Sequence, residues 1–192
     1  MPSVERAITK TNVQQMWSRM LRTARLHSAT LIDLREDKKA NGQAIAVLTL
    51  ASLSHGIGFA FLTGASESVL SPAGFIIWTM AWMIWFYLTV LVLSVTTFLV
   101  GTKLLRGKTT FTELVRPLFF STSPGVLFFL VAVQGVSNAI GAFLWVWIIV
   151  IGVFAVKHAM GFSTQRSMLT FIMYFLVWYT ISPGIILSLL SG

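Results

Sequence analysis

The residue best placed to bind or react is His55, an imidazole near the middle of the apolar stretch QAIAVLTLASLSHGIGFAFLTG. An ionisable side chain at membrane depth is by default a functional hypothesis. Neutral imidazole can ligate a haem iron or a pigment magnesium, and the small Ala51 one turn earlier would leave room for a planar ring. The alternative is a neutral histidine hydrogen-bonded inside the bundle, with Ser52 or Ser54 of its own span as partner. His158 does not complete a pair with it, because it stands at the far end of a different apolar run.

A second signature is a pair of helix breakers. Phe119-Phe120-Ser121-Thr122-Ser123-Pro124-Gly125-Val126-Leu127 is echoed by Trp178-Tyr179-Thr180-Ile181-Ser182-Pro183-Gly184-Ile185-Ile186. Proline removes an N–H and frees a carbonyl in the preceding turn. In transporters, freed carbonyls and broken helix ends hold ions and substrates. Neither membrane segment carries an Asp, Glu, Lys or Arg that could act as a coupling group. The competing reading is therefore two packing kinks softened by Ser and Gly, at Pro124-Gly125 and at Pro183-Gly184.

Other reactive groupings are missing from the sequence. Glu67 stands alone, Glu113 reads as a helix cap, and the other four carboxylates lie in the basic N-terminal segment. No two are placed for acid and base work, no Ser-His-Asp set is evident, and no glycine-rich phosphate loop occurs. The chain has no cysteine, which removes disulfide, thiolate-metal and thiol chemistry. The expectation is a protein that is not an enzyme and needs no metal or cofactor.

The elements that must position these residues follow from composition. Hydrophobic residues make up 56% of the chain and charged ones 10%, with a mean hydropathy of +0.81. Such a chain has too little polar surface to cover itself in water, and its repeated apolar runs suit a bilayer. The fold class is all-α: an integral membrane bundle of five transmembrane helices preceded by an N-terminal cytoplasmic amphipathic helix. The spans are about 43–64, 74–100, 118–133, 139–156 and 168–190, forming one transmembrane domain over 43–192. The third reaches through Pro117 and Pro124 with a kink, because 125–134 alone is too short to cross. Thr110 and Glu113 have capping-box spacing, which starts a helix at Phe111. Trp78, Trp82, Trp85, Phe86 and Tyr87 partly fit an interfacial belt in the second span.

Residues 1–42 form a separate basic segment, too polar for a cleavable signal peptide, so the first span would serve as insertion signal. From Thr11 to about Leu34 the period predicts one amphipathic helix. Val13, Met16, Met20, Ala24, Leu31 and Leu34 share a face with Trp17 at its margin, and Arg19, Arg22 and Arg25 lie opposite. That pattern suits the headgroup layer, a partner, or the protein's own helices. Gly42 is expected to open a turn before the first span.

All fourteen Lys and Arg residues fall in three places: eight in 1–42, four in the stretch after span two, and two in the stretch after span four. Placing these on the cytoplasmic side puts the N-terminus inside and the C-terminus outside. The expected location is the cell membrane. The net charge of +8 is explained by this placement, and nucleic acid is not an expected partner. Gly101 to Lys108, with Lys103, Arg106 and Lys108, is a candidate seat for anionic lipid headgroups, or ordinary anchoring. Trp17, Arg19, Arg22, Arg25 and Arg116 complete the candidate lipid or partner contacts.

From Gly101 onward the chain resembles the Yip1 domain family. The resemblance rests on Gly107, Thr110, Phe111, Leu114, Arg116 and Pro124, a basic glycine turn followed by Thr-Phe-x-x-Leu-x-Arg and a proline entering the next span. Gly161, Phe162, Ser163 and Arg166 supply a second matching motif before the last span, and the likeness covers about 75–190. Pro117 and Arg166-Ser167 depart from the family pattern. The resemblance implies a five-helix membrane protein without catalytic residues. Eukaryotic members are linked to vesicle trafficking and small GTPases, and the short N-terminal segment here is similar to bacterial or archaeal members.

These features point first to a non-catalytic membrane scaffold or accessory subunit that binds other integral membrane proteins and lipids. Gly56 with Gly58, and Gly141 with Gly152, would allow close helix contact. A small transporter or channel built on the breaks, and a cofactor-carrying subunit using His55, are the alternatives.

Overall fold

The computed structural model describes residues 2–63 and 71–181, with side chains placed for 12–63 and 71–180. Within these residues all regular secondary structure is helical, with no strand. The elements are α1 (Pro2–Ala24), α2 (Ser28–Glu36), α3 (Ala40–Thr63), α4 (Pro72–Leu99), α5 (Phe111–Phe120), a 3₁₀ segment (Ser123–Ala132), α6 (Ser137–Met160) and α7 (Thr164–Ile181).

The N-terminal segment differs from its expected form. One amphipathic helix over Thr11 to Leu34 is replaced by α1 and α2, which meet at Leu26 in a left-handed conformation (φ 58°). The Leu26 and His27 amides close onto the carbonyls of Thr23 and Arg22 at 2.9 and 3.0 Å. A non-glycine residue held there costs about 1–2 kcal/mol. The turn lets Met20, Thr23, Thr30, Leu31 and Leu34 all be buried, and that burial offsets the strain. Tertiary packing has overridden a helical period that runs unbroken in the sequence. The predicted stripe is split as a result: Met20, Leu31 and Leu34 face inward, while Val13 and Trp17 remain exposed. Gly42, expected in a turn, lies inside α3.

Several helix ends rest on recognisable local chemistry. Ser71 caps α4 by accepting from the Gly74 amide at 3.0 Å, with Pro72 in the first turn where its missing N–H costs nothing. At its far end α4 widens into a π turn over Val100–Leu104, closed by the Leu105 amide on Val100 O at 2.9 Å. Thr110 and Glu113 form the capping box of α5: the Glu113 side chain accepts from the Thr110 amide at 2.8 Å. Gly161, at φ 66°, ends α6 in the left-handed conformation that glycine adopts without strain. Only 161–163 separate α6 from α7, so the loop expected over 157–167 is mostly helix.

α3 is the central helix, packed between α4 and the 3₁₀ segment; α6 backs the 3₁₀ segment and α5, and α7 closes against α4 and α6. Thr49 meets Tyr87 and Thr63 meets Trp82, so α3 and α4 run antiparallel. The start of α3 and the end of α4 therefore share one end of the bundle. Glycines permit the tightest approaches within the chain. A Cβ on Gly56 would lie 2.4 Å from Thr79 O of α4, and one on Gly58 would lie 2.1 Å from Phe128 O. Gly152 likewise admits the Phe171 ring of α7, whereas Gly141 meets only Val131 at an ordinary 3.8 Å. Gly56, Gly58 and Gly152 thus serve this chain's own packing. Trp82 and Phe86, expected in an interfacial belt, turn inward toward His55.

Among the described residues, three helices are long and apolar enough to cross a membrane: α3, α4 with its π turn, and α6. α5 and the 3₁₀ segment make a fourth candidate crossing, bent by 41° at the break between them. At about 2.0 Å per residue the 3₁₀ form stretches ten residues to about 20 Å, against about 15 Å for an α-helix.

Candidate functional site

The break at Pro124 is the natural place to look for a binding site, since a helix end inside a bilayer exposes carbonyls. Here three consecutive hydroxyls turn back onto them. Ser121 donates to Leu118 O at 2.6 Å, Thr122 to Phe119 O at 2.7 Å, and Ser123 to Phe120 O. The sequence Ser-Thr-Ser-Pro is thus a built-in cap. Pro124 lies in the first turn of the 3₁₀ segment, where it has no N–H to satisfy.

Beyond the break, α3 supplies what the tighter helix leaves open. Ser54 Oγ donates to Val126 O at 2.7 Å and accepts from the Phe129 amide at 2.9 Å. Polar backbone inside a bilayer must find partners within the protein, and one buried hydroxyl provides two. Other hydroxyls of α3 and α4 bond to their own helices: Ser52 to Leu48 O at 2.7 Å and Ser94 to Val90 O at 2.7 Å.

His55 adjoins this joint but is not bonded to it. Its ring is surrounded by Phe59, Phe86 and Phe128, with centroids at 4.2, 4.9 and 5.0 Å, and by Trp145 and Trp82 at 6.0 and 6.1 Å. The buried Nδ1 has no hydrogen-bond partner. Neither Ser52 nor Ser54 serves it, since both hydroxyls donate to backbone carbonyls. The room expected beside Ala51 is filled by the break itself: a Cβ on Gly125 would sit 3.1 Å from Ala51 Cβ. The surroundings of His55 do not fit a haem or pigment macrocycle. Among the described residues, no group of three His, Cys, Asp or Glu side chains could hold a metal ion.

At the end where α3 begins, Arg19 turns inward. Its guanidinium reaches Gln43 Oε1 at 2.9 Å, Asp33 at 2.9 Å and Asp37 at 2.7 Å, tying α1 to α2 and α3. The Arg19 hydrogen bond holds the Asp37 carboxyl below the usual carboxylate range. Arg22 and Arg25 remain exposed, as does Trp17. Arg116 is buried, donating through Nε to Thr112 O at 3.0 Å while its Nη1 has no partner.

Lys103, Arg106 and Lys108 are exposed on a turn that the α6–α7 corner holds in shape. The Gly107 amide bonds Gly101 O at 2.8 Å, and the Phe162 ring rests where a Cβ on Gly107 would stand, 2.7 Å from its Cζ. Gly101 makes the same allowance for Met160, whose Sδ would be 2.3 Å from a Cβ there. The two separated motifs, Gly101 to Gly107 and Gly161 to Ser163, are thus two halves of one contact. The second break, Pro183 and Gly184, lies outside the described residues, as does Glu67.

Apolar helices of crossing length around a sealed polar joint define an integral membrane protein. The family model for the Yip1 domain matches residues 27–186, and the chain belongs to the Yip1 domain family. That family comprises membrane proteins of generally non-enzymatic type. The match begins at the α1–α2 turn, well before the motifs legible by eye, and so takes in α2 and α3. No curated protein and no solved structure matches the chain.

Sequence reasoning missed Ser54 as the second half of the break. Its only signal was a hydroxyl beside His55, which drew attention to the imidazole instead.

Proposed function

We propose that this protein is a non-catalytic membrane scaffold or accessory subunit, crossing the bilayer five times and binding other integral membrane proteins. The observation that carries this reading is the closed joint at Pro124. The carbonyls of Leu118, Phe119, Phe120 and Val126, which a transporter would offer to an ion, are each taken by a hydroxyl of the chain. Outward-facing apolar side chains such as Ile76, Met80, Ile84 and Leu88 on α4 offer surface to lipid or to a partner helix. Val13, Trp17 and Leu21 on α1, next to exposed Arg22 and Arg25, favour a contact at the membrane surface.

The cations support an orientation with the N-terminus in the cytoplasm, the C-terminus outside, and the cell membrane as location. Arg19 at the start of α3, the turn after α4, and Lys157 near the end of α6 gather at one end of the bundle. Anionic lipid headgroups are natural neighbours for that end.

Extraction in mild detergent followed by purification tests the reading. A second membrane protein at fixed stoichiometry, lost on Trp17→Ala with Leu21→Glu, is the expected result. A chain that purifies alone from its native membrane under the mildest extraction would contradict it.

A further inference from the structure

α6 and α7 leave between them a wholly apolar trough of about 330 Å³, lined by Ile149, Val153, Phe154, Met168, Ile172 and Phe175 among others. That volume lies at the lower end of ligand pockets, about 300–1,000 Å³. It is too small to enclose a helix of about 10 Å diameter and is on the scale of a single hydrocarbon chain.

One end of the trough is marked by charge. Lys157 lies one turn beyond Phe154, and its Nζ is 5.5 Å from the centre of that ring. Thr164 lies one turn before Met168, and its Oγ1 accepts from Lys157 Nζ at 3.1 Å. The two residues therefore meet where the linings of the two helices converge. Among the described residues both ion pairs belong to Arg19, so no carboxylate neutralises Lys157. An ammonium has three donors, and Thr164 occupies one of them. Arg166, exposed in the first turn of α7, adds positive charge at the same end.

We propose that the α6–α7 trough seats one acyl chain of an anionic phospholipid, with the headgroup phosphate held by Lys157 at the rim. The charge is of the right sign and stands at the bundle end that carries the basic turn after α4, which the proposed orientation places at headgroup level. An apolar trough ending in an ammonium fits an amphiphile with an apolar tail and an anionic head. It does not require the scaffold reading, and it concerns residues that the basic turn at Gly101 to Lys108 does not include.

The test uses the purified full chain in detergent, incubated with phosphatidylglycerol or with phosphatidylcholine of the same chains, and counts retained lipid by native mass spectrometry. Retention of phosphatidylglycerol several-fold above phosphatidylcholine is expected. Lys157→Ala should bring it down to the phosphatidylcholine level, and Val153→Trp, which fills the trough, should remove the retained lipid. Lys38→Ala, at an exposed cation of the N-terminal segment, changes net charge equally but should keep the preference. Equal retention of the two lipids, meaning a non-selective annulus only, overturns the proposal. So does an undiminished preference in Lys157→Ala, or its loss in Lys38→Ala. Should Val153→Trp fail to fold, Lys157→Ala decides alone.

Discussion

Ser54 of α3 holds Val126 across the bundle, donating to its carbonyl at 2.7 Å while accepting the Phe129 amide at 2.9 Å. A single side chain thereby satisfies both a carbonyl and an amide in the 3₁₀ segment. Ser54→Ala removes both of these hydrogen bonds from partly buried backbone groups, together worth about 1–3 kcal/mol. Reversible unfolding in mixed micelles should show a loss in that range. No measurable change would mean that the joint does not depend on this hydroxyl.

The contact between Phe162 and the glycine turn makes a separable prediction. Phe162→Ala empties a buried aromatic site and should cost about 3–5 kcal/mol. Gly107→Ala alone should also destabilise, because its new methyl meets the Phe162 ring within 3 Å. Combining Gly107→Ala with Phe162→Leu should recover part of the loss, giving a coupling of about 0.5–3 kcal/mol in a double-mutant cycle. Strict additivity would show that the two motifs are not in contact.

Much of this architecture was legible in advance because it follows from polarity. The helices α3, α4 and α6 stand close to the apolar runs that announced them, and the capping box at Thr110 and Glu113 formed as its spacing required. The α1–α2 turn was not legible. Leu26 carries no breaker signal, and the helical period runs through it; only the burial of Leu31 and Leu34 reveals why the chain turns. The inward turn of Arg19 is hidden for the same reason, since Asp33 and Asp37 come within reach only after that turn. The burial of His55 follows from its place in an apolar run, but its aromatic surroundings depend on five rings from four segments, which no local pattern reports.

Acid should weaken the N-terminal tie. The Asp37 carboxyl, whose ordinary value is 3.8, is held lower in the folded chain by Arg19. A depressed folded value stabilises fully above the unfolded one and is lost as pH falls through the folded one. Thermal stability should therefore fall below about pH 4, and Asp37→Asn should be less stable at pH 7 yet show less of that acid-dependent drop. Removing Arg19 instead, as Arg19→Met, leaves two carboxylates facing each other. Its cost should stay below the about 3–5 kcal/mol of a fully buried pair, because the Asp33 side chain is 56% exposed. A pH profile identical in wild type and Asp37→Asn would refute the assignment.

Because the chain contains no cysteine, single introduced thiols report orientation without background. Lys103→Cys and Lys108→Cys should react with a membrane-impermeant maleimide only when the cytoplasmic face is opened. Gln134→Cys and Asn138→Cys, exposed at the opposite turn, should react in intact cells. The reverse labelling pattern would invert the proposed topology.

The most direct measurement of the central claim is solute and ion flux through the purified chain in liposomes. With the carbonyls around Pro124 capped by hydroxyls of the chain, wild-type protein should give no flux above empty vesicles across a panel of monovalent ions and small neutral solutes. Saturable flux that is abolished by Pro124→Ala would contradict the account, because it would make the break a conduit rather than a joint.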